Sequence, residues 1–264
     1  MSAFQTSDGS SIEYQLHSSN SPEPQRIVLI HSLALDHSIW SRVVPYLIER
    51  ADILTYDCRG HGRSATQATE FTAELFAHDL AELLDQVGWP SAVVVGCSMG
   101  GCVAQAFAGL FPSRVKGLGL IDTTAWYGDD APKTWRERAA VARAKGLGGL
   151  IDFQVTRWFS DSFRGAHPDV LTSITKVFLA NDLDCYAATC ILLGDADLRP
   201  YAPSIRVPVE IVVGDEDYAT PVASAVALHE AIPNSSLTIL PGARHLTPIE
   251  CPGEVSSRLL RLIE

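Results

Sequence analysis

Val93-Val-Val-Gly96-Cys97-Ser98-Met99-Gly100-Gly101-Cys102 is the stretch on which the reading of this chain turns. Its three valines read as a buried strand, and the run from Cys102 to Leu110, closed near Pro112, reads as a helix, so what lies between is a strand-to-helix turn. Gly96 and Gly100 stand two residues either side of Ser98, where a tight turn presses backbone against backbone and a Cβ would collide. A serine at the tip is presented alone at a helix N-terminus, whose dipole and free N–H groups favour a developing anion. The spacing lacks the G-x-G-x-x-G pattern of a dinucleotide site. Ser98 is therefore expected to be a nucleophile.

Outward from this turn, short apolar runs alternate with helical stretches, the pattern of a mostly parallel sheet covered on both faces. The fold class expected is α/β. Strands are expected at Arg26–His31, Ala51–Asp57, Ser91–Gly96, Val115–Asp122, Val209–Gly214 and Leu237–Leu240. Leu75, Phe76, Leu80, Leu83, Leu84 and Val87 recur at helical spacing within Phe71–Val87, which Gly88 and Pro90 stop, and two further helices are expected at 220–232 and 253–263. From Ala125 to Pro203 the strand pattern disappears and the text turns helical, with Trp135, Trp158, Phe159, Phe163, Phe178 and Tyr186 in it. The organisation expected is a core domain of 1–124 and 204–264 with a helical cap at 125–203. Open sheets bind ligands at the carboxyl ends of their strands, so an insertion there roofs the site and supplies its apolar wall. Ser32, Trp135, Arg157 and Trp158 are the expected pocket residues.

A serine nucleophile needs a base to take its proton. His245, in Pro241-Gly-Ala-Arg-His245, follows the last strand and can reach the strand ends, whereas the other histidines lie early in the chain, near the terminus, or in helical surroundings. An acid must then fix the imidazole tautomer and stabilise its cation. Gly214-Asp215-Glu216-Asp217 offers it between nucleophile and base, with Asp217 expected and Asp215 the alternative. Two backbone N–H groups should hold the oxyanion, each worth roughly 3 kcal/mol. Met99, directly after the nucleophile, supplies one, and in the loop His31–Asp36 the Leu33 amide is favoured over that of Ser32. An anionic substrate would need a cation, for which Arg157 or Arg136 in the cap are available.

The whole chain has 264 residues, 47% hydrophobic and 19% charged, which suits an ordinary globular protein and excludes disordered and fibrous classes. A formal net charge of -11 argues against a nucleic-acid partner, whose binding relies on clustered Lys and Arg. Six cysteines without a C-x-x-C pair point to a reducing compartment. Met1–Glu13 is polar, without the apolar core of a signal peptide, and no run reaches the ~18 apolar residues of a membrane span. The expectation is a soluble, cytoplasmic protein with neither membrane nor nucleic acid as partner; homo-oligomerisation is left open.

Val28-Leu-Ile-His-Ser32, Tyr56-Asp-Cys-Arg-Gly-His-Gly-Arg-Ser64, Gly96-Cys-Ser-Met-Gly-Gly101, Gly214 to Pro221 and Gly242-Ala-Arg-His-Leu246 together resemble the α/β-hydrolase superfamily over nearly the full length. Within it the chain is similar to 3-oxoadipate enol-lactonases, through His31-Ser32-Leu33, Arg157-Trp158-Phe159 with Phe163, Tyr186-Ala-Ala, and Asp195-Ala-Asp-Leu-Arg199. The resemblance implies a serine hydrolase that opens a small lactone or ester in aromatic catabolism, without metal or organic cofactor. It leaves open carbon-carbon bond hydrolysis, haloperoxidase-like or general esterase activity, and ligand sensing without turnover.

Overall fold

In the computed structural model, which describes residues 1–264, eight strands form one sheet in the order β1-β2-β4-β3-β5-β6-β7-β8. The strands are β1 (Ser2–Gln5), β2 (Ser11–His17), β3 (Gln25–Ile30), β4 (Ala51–Tyr56), β5 (Ala92–Cys97), β6 (Val115–Ile121), β7 (Val209–Gly214) and β8 (Ser235–Leu240). From β4 to β8 every pairing is parallel, as the buried apolar runs require; β1 and β2 add an antiparallel edge. That edge is absent from the sequence reading. Its residues alternate polar with apolar and only Phe4 and Ile12 are buried there, the period of a half-solvated strand rather than of a core strand.

The helices are α1 (Val44–Leu47), α2 (Ala73–Gln86), α3 (Met99–Leu110), α4 (Ala131–Lys145), α5 (Ile151–Trp158), α6 (Asp161–Ala166), α7 (Pro168–Leu179), α8 (Leu183–Asp195), α9 (Val222–Ala231), α10 (Thr247–Glu250) and α11 (Pro252–Leu260). Thr72 caps α2 by accepting from the Leu75 N–H at 3.0 Å, and Phe76, Leu80, Leu83 and Leu84 give it a buried face. Helix α3 begins three residues earlier than expected, at Met99, because the turn is confined to Ser98 itself. No single helix is long and apolar enough to cross a membrane.

Between β6 and β7 the chain contains α4 to α8 and no strand. The two ends of this excursion meet: Trp126 and Asp197 form an antiparallel bridge, the Leu198 N–H donates to the Ala125 carbonyl at 2.9 Å, and the Arg199 guanidinium stacks 3.8 Å from the Trp126 ring centre. Helices α4 and α8 lie together, and Gly194 permits it, since a Cβ there would crowd Trp135 and the Ala131 carbonyl. The bundle sits over the carboxyl ends of the parallel strands.

Candidate active site

Strand β5 ends at Cys97 and the backbone reverses at Ser98, whose φ of 55° and ψ of -114° lie where a side chain is strained. The surroundings hold it there. Its N–H donates to the Ile121 carbonyl (2.9 Å), and its own carbonyl accepts from the Thr123 hydroxyl (2.7 Å) and from the N–H groups of Gly101 and Cys102. A Cβ at Gly96 would enter the shell of the Gly100 carbonyl, and one at Gly100 would meet the carbonyls of Ile30 and His31, so both positions need glycine. Although Ser98 stands at the N-cap of α3, its hydroxyl caps nothing, because the positive φ turns it away from the helix. That leaves the hydroxyl to His245.

The Ser98 Oγ lies 2.9 Å from His245 Nε2, and His245 Nδ1 lies 2.8 Å from Asp217 Oδ2. All three residues are buried. A carboxylate can only accept, so Nδ1 carries the hydrogen and Nε2 is free to receive one from the serine. Asp217 is fastened by the N–H groups of Ala219 (2.7 Å) and Thr220 (2.9 Å) and by the Thr220 hydroxyl (2.8 Å). Burial pushes its carboxyl up, but the charge and hydrogen bond of His245, with the Thr220 donors, bring it below the ordinary carboxylate range. Asp215 is turned elsewhere, accepting the Gly242 N–H at 2.6 Å on the surface. Gly214 keeps the β7 end close to this loop, since a Cβ there would strike the Ala243 carbonyl.

Across the cleft, His31 Nε2 accepts the Cys58 N–H (2.8 Å), so its Nδ1–H donates to the Ser32 carbonyl (2.7 Å). The Ser32 carbonyl and the Leu33 N–H share one rigid peptide plane, so holding the first orients the second. Neither the Leu33 nor the Met99 N–H is spent on a protein acceptor. Both are available to an oxyanion.

A narrow cleft opens above Ser98 and His245. Ser32, Leu33 and Ala219 line it from the core, and Trp135, Arg157 and Trp158 from the cap, so each expected pocket residue borders it. Arg138, Tyr127 and Gln154 border it too and were not expected. The expectation for Arg136 is overturned: it lies half-exposed, paired in two hydrogen bonds with Asp195 at 2.9 and 2.7 Å, away from the cleft. Arg138 occupies the inner face instead. Its Nε donates to the Tyr186 hydroxyl at 2.8 Å, its guanidinium lies 4.9 Å from the Trp135 ring centre, and no carboxylate pairs with it. Arg157 donates to the Tyr218 carbonyl (3.0 Å) and likewise has no acidic partner. Burial, then the like charge of Arg138, lower the Arg157 guanidinium from its usual value, as expected where two cations face one space.

The one grouping with metal-ligand proximity is Asp36, His37 and Asp57. Asp57 is already engaged, with Oδ1 accepting from His37 N and Nδ1 and Oδ2 from Arg63 N. The six cysteines are free thiols, five of them buried.

Residues 25–157 match the family model of the α/β hydrolase fold. The chain belongs to the α/β-hydrolase fold family. Among curated relatives of this hydrolase, 3-oxoadipate enol-lactonase 2 of Acinetobacter baylyi is 31% identical over 226 residues, 86% of this chain and 84% of that protein. The crystal structure of the enol-lactonase from Burkholderia xenovorans LB400 superposes with a TM-score of 0.91 at 32% identity, covering 96% of each chain. A thermophilic esterase from Thermogutta terrifontis, solved with malate bound, has a TM-score of 0.90 at 27% identity, covering 99% of this chain and 97% of its own.

Proposed function

We propose that this α/β-hydrolase opens a small lactone or carboxylic ester bearing a carboxylate, through an acyl-enzyme at Ser98, and that its substrate is 3-oxoadipate enol-lactone. The observation that carries the reading is a serine hydroxyl 2.9 Å from a carboxylate-anchored imidazole, beneath two guanidiniums without acidic partners. Similarity to the enol-lactonases supports the choice of substrate. 3-Oxoadipate is a dicarboxylate, so its enol-lactone keeps one free carboxylate.

Ser98 Oγ bonds to the lactone carbonyl carbon as its proton passes to His245 Nε2. The tetrahedral oxyanion takes the Leu33 and Met99 N–H groups, and Asp217 stabilises the imidazolium. Collapse breaks the acyl carbon-oxygen bond, and His245 returns the proton to the departing enol oxygen, which stays tethered to the acyl chain. Water, deprotonated by His245, then cleaves the ester to Ser98, releasing a second carboxylate, while the enol becomes the ketone. The substrate's own carboxylate meets Arg138 and Arg157, which are suited to paired hydrogen bonding of a planar anion.

The test is turnover of the enol-lactone by purified protein beside Ser98→Ala, with a neutral aryl ester as comparison. A lactone preference lost in Ser98→Ala is expected; undiminished activity in that variant would sink the reading.

A further inference from the structure

His245 is flanked by residues that reach into the cap. The Arg244 Nη1 donates to the carbonyls of Thr156 (2.9 Å) and Phe159 (3.0 Å) and to the Asp161 carboxylate (3.0 Å), while its Nε reaches Glu216 at 3.3 Å. On the other side of the base, the Leu246 N–H donates to the Trp158 carbonyl at 3.1 Å. Glu250 closes the arrangement. Its Oε2 accepts the Arg244 N–H (3.0 Å), and its Oε1 accepts the Ser160 N–H (3.1 Å) and the Ser160 hydroxyl.

The cap groups in these bonds all belong to residues 156–161, the end of α5 and the turn into α6. Helix α5 is also the one that brings Gln154, Arg157 and Trp158 to the cleft. A separate cap residue, Asn181 in the turn between α7 and α8, donates from Nδ2 to the Ala34 carbonyl at 2.7 Å, one residue beyond Leu33. Both loops of the site are therefore tied to the roof above them.

A guanidinium on the last carbonyls of a helix is an ordinary way to satisfy them, and that accounts for the bonds to Thr156 and Phe159. It does not require the cation to come from the residue beside the base. Nor does it explain why Leu246 and Glu250 bond the same short segment from the far side of His245. Arg244 is buried to 8% exposure, so its charge is withdrawn from water for these contacts.

We propose that Arg244 and Glu250 are positioning residues that latch cap segment 156–161 to the loop carrying His245, so that the imidazole is aligned for proton transfer only while the cap is seated. The inference rests on the acyl-transfer reading of Ser98 and His245. Its leverage is geometric: a base displaced by ~1 Å can lose about a hundredfold in rate.

The test uses the full chain and 4-nitrophenyl acetate, a neutral ester with no carboxylate for Arg138 or Arg157 to hold. In Arg244→Ala and in Glu250→Gln, kcat is expected to fall about tenfold to a hundredfold with KM within about twofold. Added methylguanidinium should restore part of the rate in Arg244→Ala and leave wild type unchanged. A wild-type kcat in folded Arg244→Ala overturns the proposal, as does a wild-type kcat in Glu250→Gln should the first variant not fold, or a loss confined to KM. Absence of fluorophosphonate labelling at Ser98 in the wild-type chain is a separate result, and it removes the acyl-transfer reading itself.

Discussion

Thr247 donates both its backbone N–H and its hydroxyl to one carboxylate oxygen of Asp122, at 2.9 and 2.7 Å, and so fastens the residue two places beyond His245 to the end of β6. Asp122 is fully buried, and burial, then the charge of Asp217, raise its carboxyl well above the usual range against the Thr247 and Gly214 donors. A carboxyl with a raised folded-state pKa holds its proton more tightly folded than unfolded. Stability is therefore greatest below the unfolded carboxylate value and declines as pH rises toward the folded one. Asp217 runs the other way, its contribution being present above the unfolded value and lost as pH falls. Asp122→Asn keeps an acceptor for Thr247 and deletes the ionisation. Its Tm should fall less than that of wild type as pH rises from about 5 to 8; equal slopes in a thermal-denaturation series would refute the assignment.

Strain at Ser98 makes a second expectation. Glycine tolerates the positive φ that a Cβ does not, so Ser98→Gly should be more stable than Ser98→Ala by about 1 kcal/mol, both being inactive. Urea denaturation of the pair reads this directly, and a more stable alanine variant would contradict it.

The two neighbouring arginines of α4 should behave oppositely. If Arg138 holds the substrate carboxylate as proposed, removing it deletes a charged hydrogen-bond donor, about 1.5–3 kcal/mol, so KM for the anionic lactone should rise about tenfold or more. Arg136→Ala should leave that KM alone, since an exposed ion pair such as that with Asp195 is worth little. Steady-state kinetics that rank the variants the other way would move the anion site out of the cleft.

His31 is expected to act through the peptide it holds. His31→Phe removes the shorter of two hydrogen bonds to the Ser32 carbonyl and leaves only that from the Leu35 N–H (3.2 Å), so the Leu33 N–H is held less firmly and kcat should drop about tenfold with KM nearly constant. An unchanged kcat in a folded variant would show that Leu33 is oriented by other means.

How much of this was legible in advance follows from how local each cause is. The turn at Ser98 is set by glycines within two residues of it, and the parallel strands by short runs of Ile, Leu and Val, so both are written in contiguous text. The base was readable from chain order, and Asp217 from its loop, although the choice over Asp215 depended on which carboxylate the Thr220 and Ala219 donors would hold. Strands β1 and β2 escaped because an edge strand wetted on one side has little apolar signature. Arg138 escaped for a different reason. It lies two residues from Arg136, about 200° around a helix, and α4 has only Ala131, Ala139 and Ala142 on its buried side. Small residues mark a helix face too weakly to tell which arginine turns inward.

The bridge between Trp126 and Asp197 gives the roof a single narrow stalk, through which the chain both leaves the sheet and returns to it. Whatever is spliced in above that stalk need only begin and end side by side, and the strand order below is indifferent to it. The five helices above Ser98 therefore enter and leave the sheet at one place, and any exchange of them meets the contacts that Arg244 and Glu250 make with residues 156–161.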